Sequence, residues 1–253
     1  AAHGDPLTER ADRLAEGLRD AGLHEHVSLA FVAEDKLRFF ATPADRFVRV
    51  ENPMRGAGVM RTHMLPGLLD ALAYNVARHT RAVRLFEVAR VYAWPERHVD
   101  HAGPTAAIDA VLPRERTIAG ALIHAGAKGT PEARGITGAI AQAVASLGHR
   151  VELAPSEHRA GYLHPGVQVG LWIGGAQVGE AGEVHPDLIA AWGLPEGTRA
   201  YYAELDVGAV PPRAVARCRD LPRFPATSRD LSLEIPSSLP AALAVRALAT
   251  AAA

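Results

Sequence analysis

Cysteine is nearly missing from this chain of 253 residues, where Cys218 stands alone. One thiol excludes a disulfide framework and a cage of cysteine ligands, and it fits a reducing, cytoplasmic compartment. Lysine is almost as scarce: Lys36 and Lys128 are the only two among 27 basic residues, so arginine carries the positive charge. That bias runs the whole length of an alanine-rich chain, and it reads as genomic composition rather than as phosphate recognition, which acts at individual sites. Long apolar runs are absent too. No stretch of about 18 apolar residues is available to span a bilayer, and AAHGDPLTER lacks the basic, apolar and small-residue order of a secretion signal. Net charge is −1, which leaves no chain-wide attraction to nucleic acid or membrane, so any such contact must be local.

What is present is material for a core. With 48% hydrophobic residues, a chain of this length makes one large domain, or one domain with a smaller companion. Thr8 is placed to cap a helix carrying Ala11, Leu14, Ala15 and Leu18, with Gly22 as its stop. VSLAFV (27–32) reads as a strand. Pro66 suits the first turn of a second helix whose face is Leu65, Leu68, Leu69, Leu72 and Val76 and which ends near His79. From Val83 to Trp94 the period changes to two, with both faces mostly apolar, so this strand is internal to a sheet. TIAGALI (117–123) is a further strand, followed by a helix through Ile136, Ile140, Val144 and Leu147 that stops at Gly148. VQVGLWI and AQVGEAGEV flank Gly174-Gly175 and make a hairpin. YYAELDV (201–207) is another strand; Pro211 and Pro212 then open a linker, and residues 230–235 and the last helix begin a new unit. One strand and one helix are too little for an independent core, so the chain reads as a fragment there, and the missing initiator methionine extends that reading to its start.

Chemical signatures are few. His98 and His101 sit in a loop without a third partner, short of the ligand count that zinc needs. LHPG (163–166) and VHPD (184–187) place histidine before proline and read as turn punctuation. A phosphate-cradling glycine loop, a nucleophile elbow and a paired-carboxylate site are all missing in recognisable form. Arg84, Glu87 and Arg90 remain, on the internal strand. Glu87 and Arg90 are three apart and point to opposite faces, and a buried charge demands a partner whether or not it is catalytic. Residues 217–253 carry a small excess of arginine beside Phe224, too small alone to mark a nucleic-acid surface.

The ordered set of motifs is more informative than any one of them. ENPMRGAGVMRTHMLPGLLDALAYNVARH, then RLFEVARVY, then LHPG with a hairpin and GEVHPDL, then LPRFPATSRDLSLEI, resembles the C-terminal part of the bacterial phenylalanyl-tRNA synthetase β subunit across nearly the whole chain. The resemblance implies an α+β fold. Residues 1–208 would form a class II aminoacyl-tRNA synthetase-like antiparallel sheet flanked by helices, residues 209–216 a linker, and residues 217–253 the start of a ferredoxin-like anticodon-binding domain. It also implies a degenerate, non-catalytic copy. The catalytic α subunit activates phenylalanine with ATP and magnesium, and two α and two β chains form a heterotetramer that binds phenylalanine tRNA. No cofactor or magnesium site falls to this chain, since the family's editing site and metal ligands would precede Ala1.

RLFEVARVY lies where class II enzymes place a strand that holds ATP, but their glycine-rich, arginine-ending signature has no match, so Arg84, Glu87 and Arg90 are expected to serve the fold. An isolated chain is then expected to be inactive. Arg61, Leu65, Leu68 and Leu72 are the candidates for contact with the α subunit, and Arg223 and Arg229 for contact with tRNA. Two departures stand out: Arg55, Gly56 and Ala57 replace a step that usually carries an acidic residue, and residues 125–140 lack an aromatic, Asp-rich segment. The rival reading is a stand-alone class II-like regulatory protein that binds a small amino acid or nucleotide without tRNA.

Overall fold

The computed structural model describes residues 5–40, 42–43, 46–54, 56–95, 112–125, 133–212, 225, 227–236, 239 and 241–251. The chain divides into two compact units, residues 1–216 and 217–253. His98, His101, Cys218, Lys128 and Arg223, named above, lie outside the described residues.

The first unit is built on a seven-stranded sheet. Its strands, in chain order, are β1 (His24–Glu25), β5 (Ala82–Ala93), β6 (Arg114–Ala125), β7 (Glu152–Ala154), β8 (Leu163–Ile173), β9 (Ala176–Val184) and β10 (Tyr201–Asp206). They lie side by side as β1-β5-β6-β10-β9-β8-β7, and every pairing is antiparallel except that of β1 with β5. A smaller sheet, ordered β2-β4-β3, comprises β2 (Phe31–Val32), β4 (Ala57–Met60) and β3 (Arg49–Met54).

The alternation along β5 sorts its residues between two cores, because successive side chains leave a strand on opposite faces. Phe86 and Val88 pack beneath α1 (Pro6–Asp20) and α3 (Ala133–Ala145), with Leu14, Leu18, Ile136, Ile140 and Val144. Val83, Leu85, Ala89 and Val91 face the other way, onto α2 (Leu65–Val76), the short helix α4 (Pro186–Ala191) and the small sheet. The amphipathic faces expected for α1, α2 and α3 are therefore the buried ones. Gly174 and Gly175 take φ of +59° and +84° in the turn between β8 and β9, as the expected hairpin requires.

Three local expectations are corrected. Asp5, rather than Thr8, caps α1: its carboxylate accepts from the Leu7 amide and the Thr8 hydroxyl, and Pro6 fills the first helical position. Only Phe31 and Val32 of VSLAFV join a strand. The Ser28 amide donates to the Glu87 carboxylate at 3.2 Å instead of to a neighbouring strand, so no ladder forms over residues 27–30. In the second unit, α5 (Ala241–Ala251) is a helix as expected, but residues 230–235 pair with no strand among the described residues and expose Leu231 and Leu233. An alternating pattern makes a strand only where a partner strand accepts its hydrogen bonds.

Helices α1 and α3 approach so closely that a Cβ on Gly17 would lie 2.5 Å from the Ala143 Cα. Gly17→Val forces the helices apart over a fully buried core. We expect a loss of about 1–3 kcal/mol in urea denaturation, the usual cost of overpacking.

A closed face on the central sheet

Glu87 is 3% exposed in the middle of β5. Arg61, just past β4, donates from Nη1 to Glu87 Oε1 at 2.7 Å and to Ser28 Oγ at 2.9 Å, and from Nε to the Arg90 carbonyl at 2.8 Å. Ser28 Oγ in turn donates to Glu87 Oε2 at 2.7 Å. Every charge in this group has its partner, which is the condition for burying it.

The sheet register extends the row. Glu87 lies opposite Gly120, Gly120 opposite Glu204, Glu204 opposite Glu180, and Glu180 opposite Gly170. Directly paired residues share a face, so three carboxylates cross the sheet on the side of α2. Only Glu87 has an arginine. Glu204 Oε2 accepts from the Tyr202 hydroxyl at 2.6 Å, and Glu180 accepts from the Tyr162 hydroxyl. Burial pushes the Glu204 carboxyl up to about 7, and the nearby Glu180 charge adds to the shift against the opposing Tyr202 bond and Arg116 charge. Glu180 is raised by burial as well. Burial and the same carboxylates raise both phenols well above their ordinary range, so they remain donors at neutral pH.

Aromatic rings cover this row. Phe40 stacks on His63 with centroids 4.5 Å apart, Tyr162 lies 5.0 Å from Phe40, and Tyr202 lies 6.1 Å from Tyr162. Burial, with help from the Arg116 charge, lowers the His63 pKa to about 3, so its imidazole is neutral. Gly120 is the position over which the cover closes: a Cβ there would sit 2.7 Å from Met64 Cβ and 3.2 Å from the Tyr202 hydroxyl. Where the sheet could present carboxylates to a substrate, it presents them to its own phenols.

The charged residues singled out on β5 have structural partners. Arg84 donates to the carbonyls of Ala21 and Gly22 at 3.0 and 3.2 Å, at the C-terminal end of α1 where a cation is favoured. Arg90 pairs with Glu115 at 3.1 Å on the opposite face from Glu87. The four residues expected to contact the α subunit are corrected: Leu65, Leu68 and Leu72 of α2 are 0% exposed, and Arg61, just past β4, is 6% exposed and committed to Glu87, so none of the four has surface to offer a partner. Arg229 is exposed in the second unit. Of the phenol–carboxylate pairs, Tyr162 and Glu180 lie 18 residues apart and leave no local signal, whereas Tyr202 and Glu204, two apart on one face of β10, form a local pair within YYAELDV that was missed in the sequence. Among the described residues no group of three or more His, Cys, Asp and Glu is arranged to hold a metal ion, and no helix is long and apolar enough to cross a membrane.

This sheet and its helices match the fold of class II aminoacyl-tRNA synthetases. The pyrrolysyl-tRNA synthetase of Desulfitobacterium hafniense superposes with a TM-score of 0.61 at 14% identity, over 81% of this chain and 67% of that one. In sequence, the profile of the phenylalanyl tRNA synthetase beta chain CLM domain matches residues 1–207, and the chain belongs to that family. It is 32% identical over 236 residues to the phenylalanine–tRNA ligase beta subunit of Moorella thermoacetica, covering 90% of this chain and 28% of that protein. For the beta subunit of Anaeromyxobacter dehalogenans the figures are 33% over 253 residues, 93% and 30%. The chain thus spans under a third of the length of these relatives.

Two predictions follow from the carboxylate row. Arg61→Leu strands a buried Glu87 charge and should lower stability by about 3–5 kcal/mol in urea denaturation, while Arg61→Leu with Glu87→Leu should recover most of the loss. For Glu204 the folded chain holds a proton that the unfolded chain has released between pH 4.5 and about 7. Stability should therefore fall as pH rises through that window, by on the order of 3 kcal/mol at 1.36 kcal/mol per unit. Glu204→Gln should flatten that part of the curve in denaturation series from pH 4.5 to 8.

Proposed function

We propose that this chain is a non-catalytic part of a phenylalanyl-tRNA synthetase β subunit. It supports the ATP-dependent attachment of phenylalanine to its tRNA by docking the catalytic α subunit and by contributing to tRNA binding. The observation that carries this reading is the closed face of the sheet, where His63, Phe40, Tyr162 and Tyr202 occupy the space above Glu180 and Glu204. A substrate bound there would have to displace a packed core. ATP and magnesium belong, in this reading, to the α subunit, and the whole enzyme is a cytoplasmic heterotetramer of two α and two β chains. Residues 217–253 open a ferredoxin-like anticodon-binding domain, joined by a linker at 209–216 to the synthetase-like domain of residues 1–208, and Arg223 and Arg229 touch the tRNA.

For docking the α subunit, the exposed apolar side chains replace the buried leucines. Val27 and Leu29 are 83% and 66% exposed on the segment whose Ser28 packs against Gly67 of α2, and Tyr74 on the same helix is 59% exposed. Large apolar side chains concentrated on one exposed segment mark an interaction site. Mixed with a purified α subunit, the chain should co-elute on size exclusion, and Val27→Asp with Leu29→Asp should abolish co-elution without changing the melting temperature. By itself the chain should give no phenylalanine-dependent pyrophosphate exchange. Exchange by the isolated chain would overturn the reading.

A further inference from the structure

The same face of the sheet is open at its end. Beyond the aromatic cover, a pocket of about 270 Å³ is lined by Arg46, Arg114, Arg116, Thr42, Thr62 and Tyr92, among others, and none of its described lining residues is a carboxylate. Arg114 and Arg116 are two apart on β6 and leave it on one face, opposite Ala93 and Val91, which carry no charge to neutralise them. Arg46 is held in place by donating from Nε to the Trp94 carbonyl at 2.9 Å. Arg116 has a loose pair, 3.4 Å from Asp206 and 56% exposed, and Arg114 is exposed with no carboxylate in ion-pair range among the described residues. Thr42 adds a neutral hydroxyl, while the Thr62 hydroxyl is taken up by His63 Nδ1 at 2.9 Å.

This is a cationic recess with planar, bidentate donors, which suits a phosphate oxygen pair. Its inner wall decides how a ligand enters. Thr62 is followed by His63, which stacks on Phe40, and the imidazole lies near enough to Arg116 to feel its charge. A base passing inward over the sheet would have to displace the His63–Phe40 stack, whereas a phosphate on an extended strand reaches the arginines from outside. We propose that this pocket binds a backbone phosphate of RNA, as a contact of the first unit separate from Arg229. The proposal deepens the tRNA-binding part of the function above, and it concerns residues that take no part in docking the α subunit.

The test is filter binding of labelled phenylalanine tRNA to the full chain across a salt series. Arg114→Gln with Arg116→Gln should weaken binding about tenfold at low salt and reduce the slope of log affinity against log salt by about 1, for the one phosphate no longer neutralised. Arg114→Lys with Arg116→Lys should restore most of the slope, which separates lost charge from a misfolded chain. Unchanged affinity and slope in the glutamine variant would overturn the proposal, and a loss confined to Arg229→Gln would do so while leaving tRNA binding by the chain intact. AMP or inorganic pyrophosphate raising the melting temperature of the wild type but not of the glutamine variant, with tRNA binding unaltered, would assign the pocket to a free phosphate and overturn the RNA contact. Failure to associate with the α subunit would not affect this measurement, which uses the chain alone.

Discussion

The buried Arg61–Glu87 pair is the constraint on which the first unit turns. Glu87 takes the amide and hydroxyl of Ser28 as well as the guanidinium, while the Arg61 backbone donates to Ala30 and accepts from Tyr92. One residue therefore ties the small sheet, the segment after β1 and the long strand β5 together. Its energetic value is not simply attraction, since desolvating two charges costs about what their proximity returns. What the pair does is penalise every other arrangement: a one-residue slip of β5 would carry Glu87 to the opposite face, beneath α1 and α3, with no donor to meet it. The register of β5 is thereby set, and the registers of β6, β10 and β9 are read from it.

That register explains the rest of the row. Once Glu87 lies opposite Gly120, Glu204 and Glu180 follow on the same face, and the chain must neutralise them without further arginines. Two tyrosines meet them as hydrogen-bond donors, which opposes but does not cancel the upward push of burial on both carboxyls, carrying Glu204 to about 7. Because a phenol is also a large apolar body, the groups that satisfy the carboxylates fill the space above them. Satisfying the polar row and closing the face are the same packing event.

Much of this fold was legible in the sequence, and for a physical reason. Helices α1, α2 and α3 carry long apolar faces with clear stops, and Gly174-Gly175 permits little but a tight turn, so local rules and tertiary packing agree. One failure occurred where a side chain replaced a backbone partner. Ser28 gave its amide to Glu87, and an apparent strand over residues 27–30 became an extended segment with Val27 and Leu29 facing outward. The leucines of α2 illustrate a different gap. Periodicity reveals that Leu65, Leu68 and Leu72 share a face, but whether that face meets the chain's own sheet or another protein is settled only by what stands opposite. The Tyr162–Glu180 pair lay further out of reach, its members 18 residues apart in sequence and brought together by the β8–β9 hairpin, whereas Tyr202 and Glu204 are alternate residues of β10 whose pairing becomes meaningful only once that face is known to be buried.

Charge is also distributed along the face in a way that composition conceals. A net charge of −1 describes a chain with three glutamates across the middle of one sheet face and three arginines around a recess at its end. The glutamates are shielded by their own donors and make little field outside, whereas Arg114 and Arg116 are exposed to solvent, where their field extends to roughly a Debye length, about 8 Å at physiological salt. The direction of that field is what a polyanion would meet. A face that has closed over its carboxylates is therefore not electrostatically silent: burying the negative row leaves the positive end as the part that the surroundings can sense.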